Sequence, residues 1–504
     1  MNEFALSLLL LGALSTNGQL PFWATSGQYG LMPETNGALA WVQAGTQYDT
    51  TREFQWKWGV SMAANYDSRC PIRSGMTNEG KSGMTQTADF NLMVDELYGS
   101  LKWRALSLDL GMKRFNRDFF GAGTPTLGSL STTGGNIIWS GNARTMPGYA
   151  LNLNPVAIPG TGKHVWLYGS WGDYWTIDER YVTGALIHRM DAGLRFDITR
   201  RLGLTLGFEH DAMWGGTSPR YGELPTTLSN YLRVIAGQAA SAEAPVNDRN
   251  NVIGDQRGRQ LLRLDWRGDG WQLALQHDHP FEDVSSLFFR NFPDAVNTLA
   301  LSLDDKDAWV SDFVYEFQYT RYQSGPINES TKEEENKSRS WLERIRYWLS
   351  IQDGGDNYFN NWEYKSGWTH FGHPIGNPLF FPEGTRDGSW TSGRVVLGVE
   401  NNRVRAHHMG VAGKLFRKLP YKLMLTYSEN YGIFKERYTG PNPWNKPWGT
   451  VEETPLRQVS GAFMGEVPLK LLTVTYGLYA DKGVLLPDNF GATVGLRYSF
   501  GGKR

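Results

Sequence analysis

The stretch WTHFGHPIGNPLFFP, residues 368–382, sets His370 and His373 three positions apart among aromatics, glycines and prolines. Imidazoles ligate zinc, and with His407 and His408 these are four of the nine histidines in the chain. That spacing gives a shared face only on a helix, and Gly372 and Pro374 point to a loop. Residues 404–410 read as a strand, which would send His407 and His408 to opposite sides. No carboxylate or thiolate completes a ligand pattern, so no metal or other cofactor is expected.

Two further chemistries suit residues of these types. In YSENYG, residues 427–432, Ser428 and Glu429 with a histidine such as His370 nearby would make a nucleophile and base. Neither a nucleophile elbow nor a spaced triad accompanies them, so no enzyme is expected. Carbohydrate binding asks instead for flat aromatic rings beside hydrogen-bonding side chains in one pocket. NARTMPGY supplies Arg144 and Tyr149, and HDAMWGG supplies His210, Asp211 and Trp214. The stretch at 368–382 adds Trp368, His370, His373 and Asn377, and YSENYG adds Glu429, Asn430 and Tyr431. These twelve are the expected glycan-binding residues, although Gly, Pro and Asn in such segments also serve simply to form turns.

The elements that would position them alternate with period two. In residues 185–199 Leu186, His188, Met190, Leu194 and Phe196 share one face, while Arg189, Asp191, Arg195 and Asp197 share the other. A turn near Arg200 and Arg201 leads to Leu202, Leu204, Leu206 and Phe208 opposite Gly203, Thr205, Gly207 and Glu209. The pattern recurs at Leu97 to Met112, Leu262 to Leu275 and Leu472 to Phe500. It yields roughly 16 to 20 segments of the length that crosses a bilayer as a tilted strand. A soluble β-protein alternates too, and alternation alone does not say which face points where. Three features favour a membrane barrel. Tight turns contrast with long connections at 116–163, 212–258 and 370–391; aromatics such as Trp103, Trp266, Trp271, Tyr498 and Phe500 sit near strand ends; and the mixed charges of the polar face suit a hydrated lumen.

Composition agrees. The chain has 20 Trp, 23 Tyr and 24 Phe but only 40% hydrophobic residues, and its mean hydropathy is -0.43. No apolar run reaches the length of a spanning helix. A net charge of -1 without a long basic run makes nucleic acid an unexpected partner, and the single cysteine, Cys70, excludes an internal disulfide. Residues 4–14 read either as a first strand or as residual signal sequence, and the missing basic flank favours the strand. Residues 225–238 place Leu228, Leu232 and Ile235 at helical spacing, a short helix in a long loop. Residues 324–340 are charged and read as a solvated loop, and residues 357–368 read as a strand leading into the histidine stretch.

Several blocks in order resemble a known family: PFWATSGQYG (21–30), GDYW (172–175), FEHDAMWGG (208–216), HPFEDVSSLFFRNFPD (279–294), NYFNNWEYKSGWTHFGHPIGNPLFF (357–381), NNRVRAHHMGVAG (401–413) and LTYSENYG (425–432). They look like the capsule-assembly Wzi family in its Bacteroidetes-type form and span almost the whole chain. The resemblance implies one all-β domain, a transmembrane antiparallel barrel of about 18 strands with long extracellular loops. Its lumen would be blocked by loops, with the short helix of residues 225–238 in one of them. It further implies a non-catalytic lectin of the outer membrane that holds capsular polysaccharide at the cell surface; capsular polysaccharide or exopolysaccharide and outer-membrane lipids are the expected partners, and the chain is expected to be a monomer. Family members of this form also carry a strand directly before the PFW motif. Two departures concern ligand identity: VSSLFF stands where a glycine-rich acidic turn is usual, and Asp294 to Val296 read DAV where a DGL-type turn is usual. A porin-like sugar channel is the alternative reading, motivated by Arg189, Asp191, Arg195 and Asp197.

Overall fold

The computed structural model describes residues 4–74, 83–114, 127–241, 252–282, 284–324, 356–386, 390, 395–433 and 454–501. Eighteen strands form one closed antiparallel barrel. In chain order they are β1 (Phe4–Ser15), β2 (Gly37–Thr46), β3 (Phe54–Ser74), β4 (Gly83–Trp103), β5 (Leu106–Met112), β6 (Pro147–Ala157), β7 (Val165–Trp175), β8 (Leu186–Asp197) and β9 (Leu202–Trp214). There follow β10 (Asp255–Arg267), β11 (Trp271–Phe281), β12 (Ala295–Leu303), β13 (Asp312–Tyr319), β14 (Val404–Leu415), β15 (Leu419–Asn430), β16 (Leu456–Pro468), β17 (Thr473–Gly483) and β18 (Asn489–Phe500). Each pairs with its sequence neighbour, and β1 closes the ring against β18 in the register Leu6 to Phe500 through Ser15 to Gly491. Closure leaves no unpaired edge, which is what a sheet in hydrocarbon requires.

Two-residue periodicity then sorts every strand into two faces. On β9 Leu206 and Phe208 are exposed, while Thr205 and Glu209 are buried. The same sorting leaves Leu10, Leu92, Leu151, Leu262, Leu425 and Leu496 exposed around the ring. An apolar belt of this extent on the outside is stable against lipid rather than water. At one end of the barrel Trp103, Trp266, Trp309, Phe416 and Phe500 are exposed, and Trp266 meets Trp271 edge-on at 5.8 Å. These amphipathic rings suit a membrane interface. The turns at this end are short, spanning 104–105, 198–201, 268–270, 416–418 and 469–472, whereas the long connections 16–36, 113–146, 215–254, 320–403 and 431–455 all lie at the other.

Some expected connections are redrawn. The one at 116–163 contains β6, that at 212–258 contracts to 215–254, and that at 370–391 is part of a single excursion over 320–403. Residues 357–368 form turns rather than a strand, because their backbone bonds go to neighbouring loops. Of the charged stretch 324–340, all but Ser324 lies outside the described residues.

The expected helix is α1 in our numbering of the longer helices (Leu228–Ile235), capped by the Thr227 side chain, which accepts from the Asn230 backbone N–H. Its position corrects the expectation that it helps fill the lumen. Val234 packs with Ala212 and Trp214, and Tyr231 and Leu186 join them; Ala212, Trp214 and Leu186 share the outward parity of Leu206. The helix therefore lies on the outside of the barrel.

The lumen is filled instead by parts of three other connections, residues 16–36, 127–146 and 356–402. Phe22, Trp23, Ile137, Ile138, Trp368 and Phe380 are among the buried residues of their common core. The charged inner wall thus faces a packed plug over this depth, not the hydrated lumen its composition suggested. We expect Leu206→Arg, which places a charge on the lipid-facing belt, to cost about 2–4 kcal/mol of barrel stability. Denaturant titration of protein folded into lipid vesicles checks this.

Candidate functional site

The plug segments have little secondary structure of their own, so their backbone groups need other partners. The wall provides them as carboxylates. Asp278 accepts the Ile137 N–H at 2.9 Å, Glu316 that of Thr132 at 2.6 Å, Asp481 that of Phe22 at 2.8 Å and Glu282 that of Phe359 at 2.6 Å. Cations complete the seam: Arg259 donates to the Gly135 carbonyl at 2.8 Å, and Arg180 donates to those of Thr369 at 3.0 Å and Gly367 at 3.1 Å. Gly376 and Gly410 mark two close approaches to the 127–146 segment, where a Cβ would overlap the carbonyl oxygens of Ile137 and Leu130.

Within this frame the twelve expected site residues do not converge. Trp368 is fully buried at the centre of the plug, its Nε1 donating to the Ile138 carbonyl at 2.8 Å, with Arg257 stacked 4.8 Å from its ring. It is a structural pillar and offers no face to a sugar. His370 and His373 pair in a two-residue hairpin. His370 is fully buried, with Nδ1 3.0 Å from the Arg144 carbonyl and Nε2 3.4 Å from the Ile177 N–H. Burial pushes its imidazole down to about 4, and the neutral ring matches one nitrogen donating and the other accepting. Burial likewise lowers Arg144 to about 10, its guanidinium lying 4.2 Å from the Phe371 ring. Asn377 and Asn430 are buried in hydrogen bonds to Leu379 and to Asn401, and Asp211 faces inward toward Arg189 at 3.5 Å.

Others belong to the outward side of the wall. Tyr149 donates to Asp173, which also accepts from Tyr231 of the external helix at 2.8 Å. Trp214 packs under that helix, 5.4 Å from Tyr231, and His210 meets Gln256 at 2.5 Å. Glu429 accepts from Tyr427 at 3.1 Å and Tyr431 at 3.2 Å. Ser428 is buried on the lumen side, where it accepts from Asn430 at 2.9 Å. Ser428 and Glu429 therefore stand on opposite faces of the wall, and neither reaches His370. The histidines also separate: His407 meets Tyr315 outside at 2.8 Å, whereas His408 contacts Thr426 and the Leu130 carbonyl inside at 2.8 and 2.7 Å.

One expected residue does line a pocket. At the long-connection end a cavity of about 100 Å³ is bounded by Phe22, Glu34, His373, Phe381, Trp390 and Asp481, among others. His373 Nε2 stands 3.2 Å from Glu34 Oε1. Both atoms are buried, and neither makes a hydrogen bond of good geometry among the described residues. Trp390 stands edge-on to His373 at 5.0 Å and donates to the Gly372 carbonyl at 2.9 Å. Aromatic surface beside two under-satisfied polar atoms is the pairing a sugar ring needs. Glu34 and Trp390 escaped the sequence reading because each sits among turn formers, PETNG and DGSWTSG, with nothing in its spacing to join them.

The root of the long excursion is held by one acid. Asp294 accepts from the N–H groups of Tyr322 and Gln323 at 2.9 and 2.7 Å and from the Tyr358 hydroxyl at 2.9 Å, tying the two sides of the excursion together.

No family model and no curated protein matches the sequence. Among solved structures, Wzi, described as an outer membrane protein involved in group 1 capsule assembly in Escherichia coli and as a carbohydrate-binding β-barrel, aligns with a TM-score of 0.51. Its identity is 14% over 98% of this chain and 84% of that one, a likeness of fold. OccK5 (OpdH) of Pseudomonas aeruginosa aligns at 9% identity and a TM-score of 0.44 over 99% of this chain and 98% of that one. OccAB4 of Acinetobacter baumannii gives 9% and 0.41 over 99% and 98%.

Two outcomes follow for the plug. Trp368→Ala should cost about 3–5 kcal/mol locally, so limited proteolysis should cut the plug faster while the barrel keeps its heat-dependent gel mobility. Burial raises the Asp294 carboxyl from its ordinary 3.8 to about 7, outweighing three donors that favour the charged form. Its folded value exceeds its unfolded one, so it takes up a proton on folding, and its contribution to stability falls as pH rises from about 4 to about 7. Asp294→Asn should flatten that part of the pH dependence of proteolysis.

Proposed function

We propose that this chain is a Wzi-like outer-membrane barrel that binds capsular or other surface polysaccharide at its outer face and helps anchor it to the cell. The carrying observation is the pocket where His373 and Glu34, both buried and short of partners, meet the indole of Trp390. A sugar hydroxyl there would satisfy both atoms, and the ring would give its C–H face an apolar surface. The fold likeness to a barrel described as carbohydrate-binding supports the same reading. On it, the long connections face outward from the cell and the short turns face the periplasm. The closed ring needs no second copy to complete its sheet, which favours a monomer in contact with outer-membrane lipid.

The plug weighs against the alternative of a sugar channel. Arg189, one of the charges that motivated it, is fully buried, paired with Glu209 at 2.8 Å and stacked 4.7 Å from Trp139 of the plug. A small pocket implies weak binding of one repeat, compensated by the many repeats of a polymer and the many copies of a surface protein.

The test is titration of the purified protein in detergent with the host's own capsular polysaccharide and with a short fragment of it. Trp390→Ala and His373→Ala should each weaken fragment binding roughly tenfold, as expected for loss of about 1–2 kcal/mol, and single-channel conductance should stay low. Absence of polysaccharide binding, together with normal capsule retention after gene deletion, would overturn the reading.

A further inference from the structure

A second and larger cavity, about 540 Å³, lies inside the barrel on the other side of the plug. Its wall residues place it toward the short-turn end: Thr205 is near the start of β9, Lys422 near the start of β15 and Met464 near the end of β16. The connections at that end, from 104–105 to 304–311, are short beside those that form the plug. The volume falls in the range of small-molecule sites, roughly 300–1,000 Å³.

Its lining is built for a ligand in three ways. Ser131, Thr133 and Thr205 are each more than nine-tenths buried, and their hydroxyls have no hydrogen-bond partner among the described residues. Buried hydroxyls without partners are costly and call for something that bonds them. Tyr168 packs on the wall at two glycines: a Cβ at Gly193 would overlap its ring and one at Gly207 its hydroxyl. The tyrosine, largely buried by this packing, is an aromatic residue of the barrel wall that lines the cavity close to Arg259. Lastly, four cations line the space. Arg189 and Arg259 pair with Glu209 at 2.8 and 3.0 Å, and Arg263 with Asp265 at 2.9 Å. Lys422 makes no hydrogen bond or ion pair among the described residues, and its electrostatic neighbour Glu466 is already held by Arg497 at 2.6 Å.

From these we infer that the inner cavity is a separate binding site for a short acidic saccharide, entering from the short-turn end. Tyr168 contacts a sugar ring, Ser131, Thr133 and Thr205 bond its hydroxyls, and Lys422 pairs with its carboxylate. The plug separates this site from the outer pocket, and the inference does not rest on the outer-face reading.

The experiment is calorimetric titration of the full chain in detergent with trigalacturonic acid, with its methyl ester and with acetate. The acid should bind at least tenfold more tightly than the ester or acetate. Lys422→Met should remove that preference, and Thr205→Val should weaken acid and ester alike. Retained heat-dependent gel mobility identifies the folded variants. The inference is overturned if the acid does not bind, if acetate binds as well as the acid, or if Trp390→Ala abolishes binding while Lys422→Met and Thr205→Val leave it intact.

Discussion

The structure depends on one exchange: wall carboxylates accept the backbone N–H groups of loops that have no ladder of their own. A buried N–H without a partner costs as much as a lost hydrogen bond, and a segment such as 127–146 cannot satisfy its own. Asp278, Glu316, Asp481 and Glu282 each take one plug N–H from a distant part of the chain. A buried carboxylate is itself unfavourable unless compensated, so wall and plug are mutually necessary. Arg257 shows the coupling. It bonds Asp255 and Glu282 on one side and stacks on Trp368 on the other, at the junction of barrel and plug.

The outer surface solves a different problem. Toward the long-connection end the outward face stops being apolar: Tyr149, Asp173 and His188 stand where leucines stand lower down. The external helix covers them. Its Tyr231 donates to Asp173 and accepts from the Trp171 indole at 3.1 Å, while Leu228 and Leu232 remain exposed on its far side. The helix thus satisfies the polar groups beneath and carries the apolar belt outward over them. An amphipathic helix in that position belongs at an interface rather than in a lumen.

This explains what the sequence made legible and what it did not. Most strands and the helix at Leu228–Ile235 follow from local periodicity, and 18 strands fall within the range that periodicity allowed, but β6 lies inside an expected connection and the strand expected at 357–368 is a run of turns. Parity also fixes the facing of single residues. His210 shares the face of Leu206 and Phe208, so it had to point outward, and Asp211 had to point inward. The plug was not legible because its defining bonds join residues such as Ile137 and Asp278, far apart in sequence and unmarked by any spacing. The side of the wall taken by the helix was equally hidden, since both the plug core and the outer belt offer apolar surface to Val234.

The plug also decides what kind of binding the barrel can support. With Trp368 sealed at its centre and Gly376 and Gly410 allowing backbone to touch backbone, no continuous path for a polymer runs through the described core. What remains is one small pocket at the outer end and one larger cavity at the inner end, each bounded by the same plug and each containing buried polar atoms short of partners. Because segments 16–36 and 127–146 contribute to both linings, a change in plug packing would be felt at both ends together. A rigid plug gives two independent sites, whereas a plug with two arrangements would couple them, with a coupling free energy equal in both directions. The dense core and the seam of hydrogen bonds from plug N–H groups to wall acids favour the rigid case, since every displacement of the plug strands several buried groups at once.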